Sequence, residues 1–380
     1  FLRDCDVTDE ATNKVFDLVS PVSVVVPSDW DSYESFVQCV SQLNLDASPG
    51  FDYCYDVSAN RQLLGIEYER SVSEACETSM RFLYQDVMSF LNAGEEVVFR
   101  AFIKDEPHKP SKFDSGRFRL ISAPPVHVTI AGMMLYRFLV QQLVRLVHAT
   151  PVKIGFSASR GGYQLPLYSW YSADGKAWDW SLSPKILYRS MQICRDLCSA
   201  DTRWKMCSQR FNHAVVYGGL LRLPDGRQFH YHCQKSGQYL TTISNSISNL
   251  LINVQAGIDC GETNEYAVLG DDIAYKLEPS QGFLRALNAY MTFEVGARGE
   301  FAGAQFRPDG YDMVKYYRQL TVLLHTSEDD IPNVCRNLLL NNHLSLRRTR
   351  IDELVTRLSP QSRFSEQFLA DYHDQPRLQV

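Results

Sequence analysis

The chain has 380 residues, 45% hydrophobic and 22% charged, a balance typical of a folded globular protein and not of a disordered one. No apolar run reaches the roughly 18 residues that a helix needs to cross a bilayer, and the ten cysteines include no Cys-x-x-Cys pair, which favours reduced thiols in a cytosolic setting. The net charge of −6 excludes a protein that grips phosphates over its whole surface, so any nucleic-acid contact requires local basic strips.

The first half of the chain predicts two long helices separated by an irregular segment. Apolar residues recur at helical spacing over 71–92 and again over 130–147. Residues 100–125 are basic and contain four prolines, so they cannot form one long helix. The chain begins with Phe1 rather than Met, as expected of a domain cut from a longer precursor or of a trimmed chain.

The second half predicts alternating strands and helices. An aromatic strand is expected over 167–173, ending at Asp174, and a helix is expected to begin at Ser183-Pro184, where a Ser cap precedes a Pro. The remaining predicted elements are a hairpin (215–223 and 227–233), a helix (238–256), a strand–turn–strand (266–275), a helix (282–293), a small hairpin from 301, and a helical, basic tail (312–380).

The turn Gly270-Asp271-Asp272 lies between two β-prone runs, so both carboxylates are expected at an exposed tip. Paired carboxylates at such a tip suit Mg²⁺, which prefers oxygen ligands. The tripeptide alone is expected by chance in ~10% of chains of this length. The motif alone therefore does not exclude the alternative interpretation, an Asp-rich turn without function.

Two further acidic residues follow the predicted strand 167–173. Asp174 at the strand end can supply a third carboxylate opposite the Gly-Asp-Asp turn, which would allow two metal ions to be held. Asp179, five residues on, is placed to read a ribose hydroxyl rather than a metal. The alternative is that Asp174-Gly175 is a plain turn.

A third motif runs from Ser236-Gly237 to Asn245. Gly237 allows a flexible loop before the helix, and Ser236 can cap it or contact a backbone group. Thr241 and Asn245 are four residues apart and share one helix face. The alternative is capping with a solvated polar face, although this spacing arises by chance in well under ~1% of such chains.

The order of these motifs, a carboxylate strand, then a Ser-Gly helix, then a Gly-Asp-Asp hairpin, resembles the palm of viral RNA-dependent RNA polymerases. The resemblance implies an α+β right-hand fold in which fingers, an antiparallel palm sheet flanked by helices, and a thumb encircle the active site. It implies these domains: fingers with fingertips and a nucleotide-channel motif (1–165), palm (166–182 and 236–311), a fingers insertion (183–235) and thumb (312–380).

The similarity extends to the basic segment. Residues 102–109 (Phe-Ile-Lys-Asp-Glu-Pro-His-Lys) and 117–121 (Arg-Phe-Arg-Leu-Ile) look like the fingers motif that channels nucleotides, and they supply the positive strip that an acidic chain needs. A solvated basic loop is the alternative. These motif sequences, together with Ser-Pro-Gly-Phe at 48–51 and Trp-Asp-Trp-Ser at 178–181, are most similar to those of polymerases from the sobemovirus, polerovirus and barnavirus group. Residues 301–306 occupy the place of a primer-grip hairpin.

The resemblance also implies the activity, RNA-dependent RNA polymerisation, and roles for single residues. Asp174, Asp271 and Asp272 would be catalytic ligands of two Mg²⁺ ions, for which Mn²⁺ could substitute. The implied substrate-binding residues are Asp179, Ser236, Gly237, Thr241 and Asn245 at the ribose 2′-hydroxyl, and Lys104, Arg117 and Arg119 at the nucleotide phosphates. The implied partners are template and nascent RNA, nucleoside triphosphates, and other viral replication proteins or a protein primer, in replication complexes of the host cytoplasm.

Several alternatives stay open at this point. Relatives usually carry a Lys after Gly-Asp-Asp that is proposed to protonate pyrophosphate, whereas here Lys276 directly follows the hairpin, the next Lys is Lys315, and Arg298 has an unsuitable pKa for that role. His230, His232 and Cys233 could bind Zn²⁺, although strand packing or template contact is favoured because no second ligand pair accompanies them. A reverse transcriptase and a catalytically inactive RNA-binding scaffold are the two competing functions.

Overall fold

The computed structural model describes residues 3–66, 75–104, 110–116, 118–232 and 234–374. The α-helices are α1 (Asp9–Val19), α2 (Tyr33–Val40), α3 (Asn60–Leu63), α4 (Glu77–Ala93), α5 (Pro110–Asp114), α6 (Val126–Arg145), α7 (Trp178–Ser181), α8 (Pro184–Asp196), α9 (Thr202–Val216), α10 (Thr241–Cys260), α11 (Gln281–Tyr290), α12 (Tyr316–Leu323), α13 (Ile331–Asn342), α14 (Arg348–Leu358) and α15 (Glu366–Asp374). The β-strands are β1 (Val24–Val25), β2 (Val97–Ile103), β3 (Leu120–Ala123), β4 (Tyr171–Gly175), β5 (Cys198–Ser199), β6 (Gly219–Arg222), β7 (Gln228–His230), β8 (Tyr266–Leu269), β9 (Asp272–Tyr275), β10 (Phe293–Val295), β11 (Glu300–Phe301), β12 (Ala304–Arg307) and β13 (Gly310–Met313).

The chain forms two compact units. The first contains Phe1–Gln142 and Lys176–Gln255, and the second contains Leu143–Gly175 and Ala256–Val380. The boundaries of fingers, palm and thumb stay a prediction. None of the helices in the described part of the chain combines the length and apolarity required to cross a membrane.

The first unit contains a four-stranded sheet of order β3-β2-β6-β7. Its central pair β2 and β6 is parallel, and the outer pairs are antiparallel. Large aromatic residues hold the neighbouring helices together: Trp204 of α9 lies edge-on to Tyr136 of α6, with ring centroids 5.6 Å apart. The Trp204 indole also donates a hydrogen bond to the carbonyl of Leu135, so the buried indole N–H is satisfied.

The N-terminal segment of this unit is fixed by a buried glutamine of α10. Thr8 caps α1 by accepting a hydrogen bond from the Ala11 amide. Both the amide and the hydroxyl of Thr8 donate to Oε1 of Gln255, at 2.7 and 2.8 Å. Gln255 therefore has a structural role, tying the start of α1 to α10.

The second unit contains two antiparallel sheets. One has the order β10-β4-β9-β8, and the other has the order β11-β12-β13. Phe301, Phe306 and Tyr311 of the three-stranded sheet form one apolar cluster with Ala267 and Ala274 of β8 and β9. Because Ala274 and Asp272 alternate with Ile273 on β9, this cluster covers the same face of the sheet that carries Asp272.

The other face of the four-stranded sheet is closed by α11. Ile273 and Tyr275 are fully buried there, and Phe283 of α11 lies edge-on to the Tyr275 ring at 5.8 Å. The helices that follow the sheets have a small core of their own, built from Tyr316, Cys335, Leu338, Leu339, Ile351 and Val355.

Most predicted elements are present, with corrections at their ends. The strand predicted over 167–173 was wrong in its first half, because Pro166–Ser169 form a 3₁₀ turn and β4 begins only at Tyr171. The strand predicted from 215 was wrong at its start, because Val215 and Val216 complete α9. The hairpin predicted from 301 gains a third strand, β13. Part of the helix predicted over 71–92 lies outside the described residues, and α4 begins at Glu77.

Candidate active site

The Gly-Asp-Asp motif forms a tight hairpin between β8 and β9. Leu269 and Asp272 are paired across the hairpin, which leaves Gly270 and Asp271 as a two-residue turn. Gly270 has a φ of +65°, a left-handed conformation that glycine adopts without strain and that two-residue hairpin turns require. The turn leaves the Asp271 side chain exposed at the tip.

Three carboxylates lie in a row across the sheet next to this turn. Asp174 at the end of β4 is paired with Asp272 of β9, and Glu294 of β10 is paired with Asp174 on the other side. Directly opposed residues in antiparallel strands point to the same face, with Cβ atoms about 5 Å apart, and like charges in this position destabilise the sheet. We call Glu294, Asp174 and Asp272 the carboxylate row.

The electrostatics of the row reflect this crowding. Partial burial, followed by the negative charges of Asp271 and Glu294, raises the pKa of Asp174 to about 6. Burial, followed by the charges of Asp271 and Asp174, raises the pKa of Asp272 to about 7. The protein therefore holds negative charge in this place at an energetic cost, which a bound cation would remove.

The carboxylates fit a divalent cation in chemistry, although they do not converge on one point. Oxygen ligands on adjacent strands and mutual repulsion are the features expected where a cation binds. Within the described ranges, no group of three or more His, Cys, Asp or Glu side chains is arranged so that it could hold a metal ion directly. The side chains of Asp174 and Asp271 are in part accessible to solvent.

The structure places Lys315 close enough to the carboxylate row to act on it, a proximity that the sequence did not predict. The positive charge of Lys315 lowers the pKa of both Asp174 and Asp272, although 43 residues separate it from Asp272 in the chain. Lys276, which follows the hairpin directly, instead forms an ion pair with Glu265 at 2.6 Å. Arg298 stacks over the Tyr171 ring at 5.0 Å.

The Ser-Gly motif binds to the edge of β3. The Gly237 amide donates to the carbonyl of Ser122 at 3.1 Å, and the Ser236 hydroxyl contacts the Leu120 carbonyl and the Ser122 amide. A Cβ atom on Gly237 would lie 2.5 Å from the Ser122 oxygen, so only glycine permits this approach. Of the two predictions for Ser236, capping the helix or contacting a backbone group, the structure shows the backbone contact.

Asn245 lies in a buried cluster of amides that also includes Gln234, Gln238 and the Ser244 hydroxyl. We call these four residues the amide cluster. Gln234 Nε2 donates to Asn245 Oδ1 at 2.6 Å and to Ser244 Oγ at 2.9 Å. The Gln234 backbone amide donates to the carbonyl of Asp179 at 3.1 Å. The structure therefore links the two predicted ribose-reading residues, Asp179 and Asn245, through Gln234.

The other predicted site residues occupy separate places in the first unit. The Thr241 hydroxyl donates to the carbonyls of Lys235 and Gln238 at the start of α10. The Lys104 amide donates to the Arg119 carbonyl at 2.9 Å, so the β2–β3 hairpin brings these two basic residues side by side, Lys104 half-buried and Arg119 exposed. Arg117 and Lys109 lie outside the described residues.

The two histidines considered for zinc lie near the end of β7. The rings of His230 and His232 are stacked, with centroids 6.0 Å apart and planes within 13° of parallel. Cys233, the third residue of that prediction, lies outside the described residues.

Comparison with known proteins assigns the family. A sequence model described as viral RNA-dependent RNA polymerase matches residues 10–281, which include Asp174, Asn245 and the Gly-Asp-Asp turn. The chain belongs to the viral RNA-dependent RNA polymerase family. The relatives include polerovirus P1-P2 proteins, sobemovirus-like replicases and a barnavirus polymerase, which confirms the predicted subgroup.

Two of these relatives show the extent of the similarity. Protein P1-P2 of Turnip yellows virus (isolate FL-1) is 30% identical over 239 residues, covering 55% of this chain and 22% of the relative. Protein P1-P2 of Potato leafroll virus (strain Potato/Scotland/strain 1/1984) is 26% identical over 377 residues, covering 87% of this chain and 34% of the relative. The chain thus spans about a third or less of the length of these curated relatives.

The fold of the polymerase is confirmed by a solved structure. The Sicinivirus 3Dpol RNA dependent RNA polymerase matches with a TM-score of 0.75 at 15% identity, covering 96% of this chain and 83% of that chain. At this identity the match concerns the fold, and the helix-rich architecture with several sheets is that of a right-hand polymerase.

Proposed function

We propose that the protein is an RNA-directed RNA polymerase that copies a viral RNA template by Mg²⁺-dependent nucleotidyl transfer. The observation that carries this proposal is the carboxylate row beside the Gly-Asp-Asp turn, in a chain that belongs to the viral polymerase family. A scaffold that only binds RNA has no use for like charges held together at an energetic cost.

Asp174, Asp271 and Asp272 are the proposed ligands of two Mg²⁺ ions, with Mn²⁺ as a possible substitute. When bound, these ions supply activation of the primer 3′-hydroxyl and neutralisation of the triphosphate and the departing pyrophosphate. The chain's own contribution is to present three deprotonated carboxylates from two neighbouring strands and the turn. Because the pKa values of Asp174 and Asp272 are raised, cation binding and proton release are coupled in this proposal.

The substrate-binding residues are proposed to act on different parts of the nucleotide. Asp179 and Asn245, with Ser236, Gly237 and Thr241, read the ribose and its 2′-hydroxyl, the group that distinguishes RNA from DNA. Lys104, Arg117 and Arg119 bind the triphosphate, since phosphoryl and nucleotidyl transfer depend mainly on positioning and charge stabilisation.

The proposed partners follow from this activity. They are the RNA template, the nascent strand, nucleoside triphosphates, and other viral replication proteins or a protein primer. The relatives named P1-P2 and the replicase polyprotein support a setting within a larger replicase. We propose that the enzyme works in replication complexes of the host cytoplasm.

The test is primed extension on RNA and DNA templates, with ribonucleotides or deoxyribonucleotides, in the presence and absence of Mg²⁺. We expect RNA-templated ribonucleotide incorporation that requires Mg²⁺ and falls on the order of 10³-fold or more in Asp271→Ala, about 4 kcal/mol of transition-state stabilisation. The matched control is Asp309→Ala, an exposed carboxylate of the same unit that pairs with Arg307. DNA products would favour a reverse transcriptase, and RNA binding without synthesis would favour the scaffold.

A further inference from the structure

Gln234 is fully buried between β7 and α10, and every polar group of its side chain has a partner. Its Nε2 contacts Asn245 Oδ1 and Ser244 Oγ, while its Oε1 accepts from Gln238 Nε2 at 3.0 Å and from the Lys235 backbone amide at 3.2 Å. A buried amide bonded on both ends has one orientation, because turning it over would place donors against donors.

The partners of Gln234 fix which end of its amide faces Asn245. The Lys235 backbone N–H can only donate, so the group that faces it must be the Gln234 oxygen. The Ser244 hydroxyl donates to the Leu240 carbonyl, so toward Gln234 it can only accept, and the group that faces it must be Nε2. Two independent contacts therefore agree that Gln234 presents its NH₂ group to Asn245.

The orientation of Gln234 determines the orientation of Asn245. Because the Asn245 oxygen accepts the 2.6 Å hydrogen bond from Gln234, the Asn245 NH₂ group is turned away from Gln234. The Asp179 carboxylate, by contrast, can only accept when it is ionised. Asn245 thus supplies a donor and Asp179 an acceptor, and a hydroxyl is a group that can satisfy both at once.

We propose that Gln234 is a positioning residue for sugar selection: it holds the Asn245 amide with Nδ2 directed to the ribose, so that Asn245 donates to the 2′-oxygen. This inference rests on the proposed role of Asn245 and Asp179 in reading the ribose. Gln234 itself does not touch the nucleotide. Its backbone amide binds the main-chain carbonyl of Asp179 and its side chain binds Asn245, so Gln234 ties the Asp179 backbone to the Asn245 amide.

The first experiment removes the donor of Gln234. In Gln234→Met the side chain keeps its length but loses the NH₂ group, so the Asn245 amide is free to turn over. We expect the preference for ribonucleotides over deoxyribonucleotides, measured as the ratio of kcat/KM values, to fall about tenfold. The loss should lie in the ribonucleotide kcat/KM, with the deoxyribonucleotide value unchanged, whereas a general loss of folded enzyme would lower both equally.

The second experiment tests the orientation of Asn245 directly. Asn245→Asp keeps an oxygen for the Gln234 NH₂ group but replaces Nδ2 with oxygen, so it removes the donor to the ribose while preserving the internal bond. The sugar preference should fall as it does in Asn245→Ala. A preference that survives in Asn245→Asp overturns the proposed orientation, because it means that an oxygen already faces the ribose.

The matched control is Gln255→Met, the same change at a buried glutamine of the same unit whose amide binds Thr8. It should lower the melting temperature and leave the sugar preference unchanged. If Asn245→Ala keeps the wild-type preference, the proposed role of Asn245 is wrong and this inference falls with it. If Asn245→Ala loses the preference but Gln234→Met keeps it, only the positioning role of Gln234 is overturned.

Discussion

The carboxylate row and the amide cluster differ in how far the protein satisfies its own polar groups. In the row, Asp272 faces Asp174 and Asp174 faces Glu294, so each neighbour repels the next. In the cluster, Gln234 bonds to Asn245, Ser244 and Gln238 with donors matched to acceptors. The members of the row repel one another, whereas every polar group of the Gln234 side chain has a partner within the protein.

This contrast fits the two proposed tasks. A cation site gains affinity when no other group neutralises the negative charge of its ligands before the cation binds, because binding then relieves their mutual repulsion. A site that discriminates one hydroxyl gains selectivity when its groups are held rigidly, because a buried group left unpaired by the wrong substrate is costly. Substitutions should therefore have opposite consequences for stability in the two regions.

The largest effect is expected from Asp174→Asn. The substitution removes the central charge of the carboxylate row, so RNA synthesis should fall on the order of 10³-fold. Because the repulsion from Asp272 and Glu294 is relieved at the same time, the Mg²⁺-free protein should melt at the same or a higher temperature. Extension assays and thermal unfolding measured on one preparation check both halves of the prediction.

The control for Asp174→Asn is Asp309→Asn, which makes the same chemical change on an exposed side chain outside the row. It should keep activity within about twofold, since surface substitutions of this kind are nearly neutral. A marked loss of stability in Asp174→Asn would contradict the view that the row is strained, and would mean that Asp174 stabilises the sheet.

The next largest effect is a difference in stability between alanine substitutions at two glycines. Gly237→Ala places a Cβ 2.5 Å from the Ser122 oxygen and should cost about 3 kcal/mol of unfolding free energy, because two backbone segments must move apart. Gly270→Ala meets no atom within 4 Å and should cost only about 1 kcal/mol, the penalty of a left-handed alanine. Denaturant unfolding of both variants measures the difference, and equal losses would show that crowding at Gly237 is unimportant.

The sequence predicted two of the three members of the carboxylate row, Asp174 and Asp272, and missed the third, Glu294. Asp174 and Asp272 were predicted opposite each other because a strand end and a hairpin turn are local features. Glu294 was missed because its position depends on the pairing of β10 with β4, which are more than a hundred residues apart in the chain. Lys315 was named but not placed near the row, since only the return of β13 brings the chain back.

Gln234 was missed for a different reason. A glutamine two residues before a Ser-Gly motif has no distinctive spacing, and its importance comes from burial and from the orientation of four amide and hydroxyl groups. Asn245 was found because its spacing from Thr241 marks one helix face. Local patterns thus identified the residue proposed to read the ribose, whereas tertiary packing was needed to identify the residue that holds it.

The smallest expected effect concerns pH and Mg²⁺. The folded-state pKa of Asp272, about 7, is above the ordinary value of 3.8, so the folded protein binds more protons than the unfolded chain between about pH 4 and pH 7. Stability from this group is present at low pH and is lost as pH rises through 7. Relative to Asp272→Asn, the wild type should therefore lose about 1 kcal/mol between pH 5 and pH 8, once solvent screening is allowed for.

Saturating Mg²⁺ should reverse this loss at pH 8 and have little effect at pH 5, because protons and cations compete for the same carboxylates. In Asp272→Asn both the pH dependence and the Mg²⁺ dependence of the melting temperature should be weaker. The amide cluster provides the internal comparison: Gln234→Met should lower the melting temperature equally at both pH values and with or without Mg²⁺, since no group in that cluster titrates in this range. A Mg²⁺ response that is unchanged in Asp272→Asn would mean that the ion stabilises the protein somewhere other than the carboxylate row.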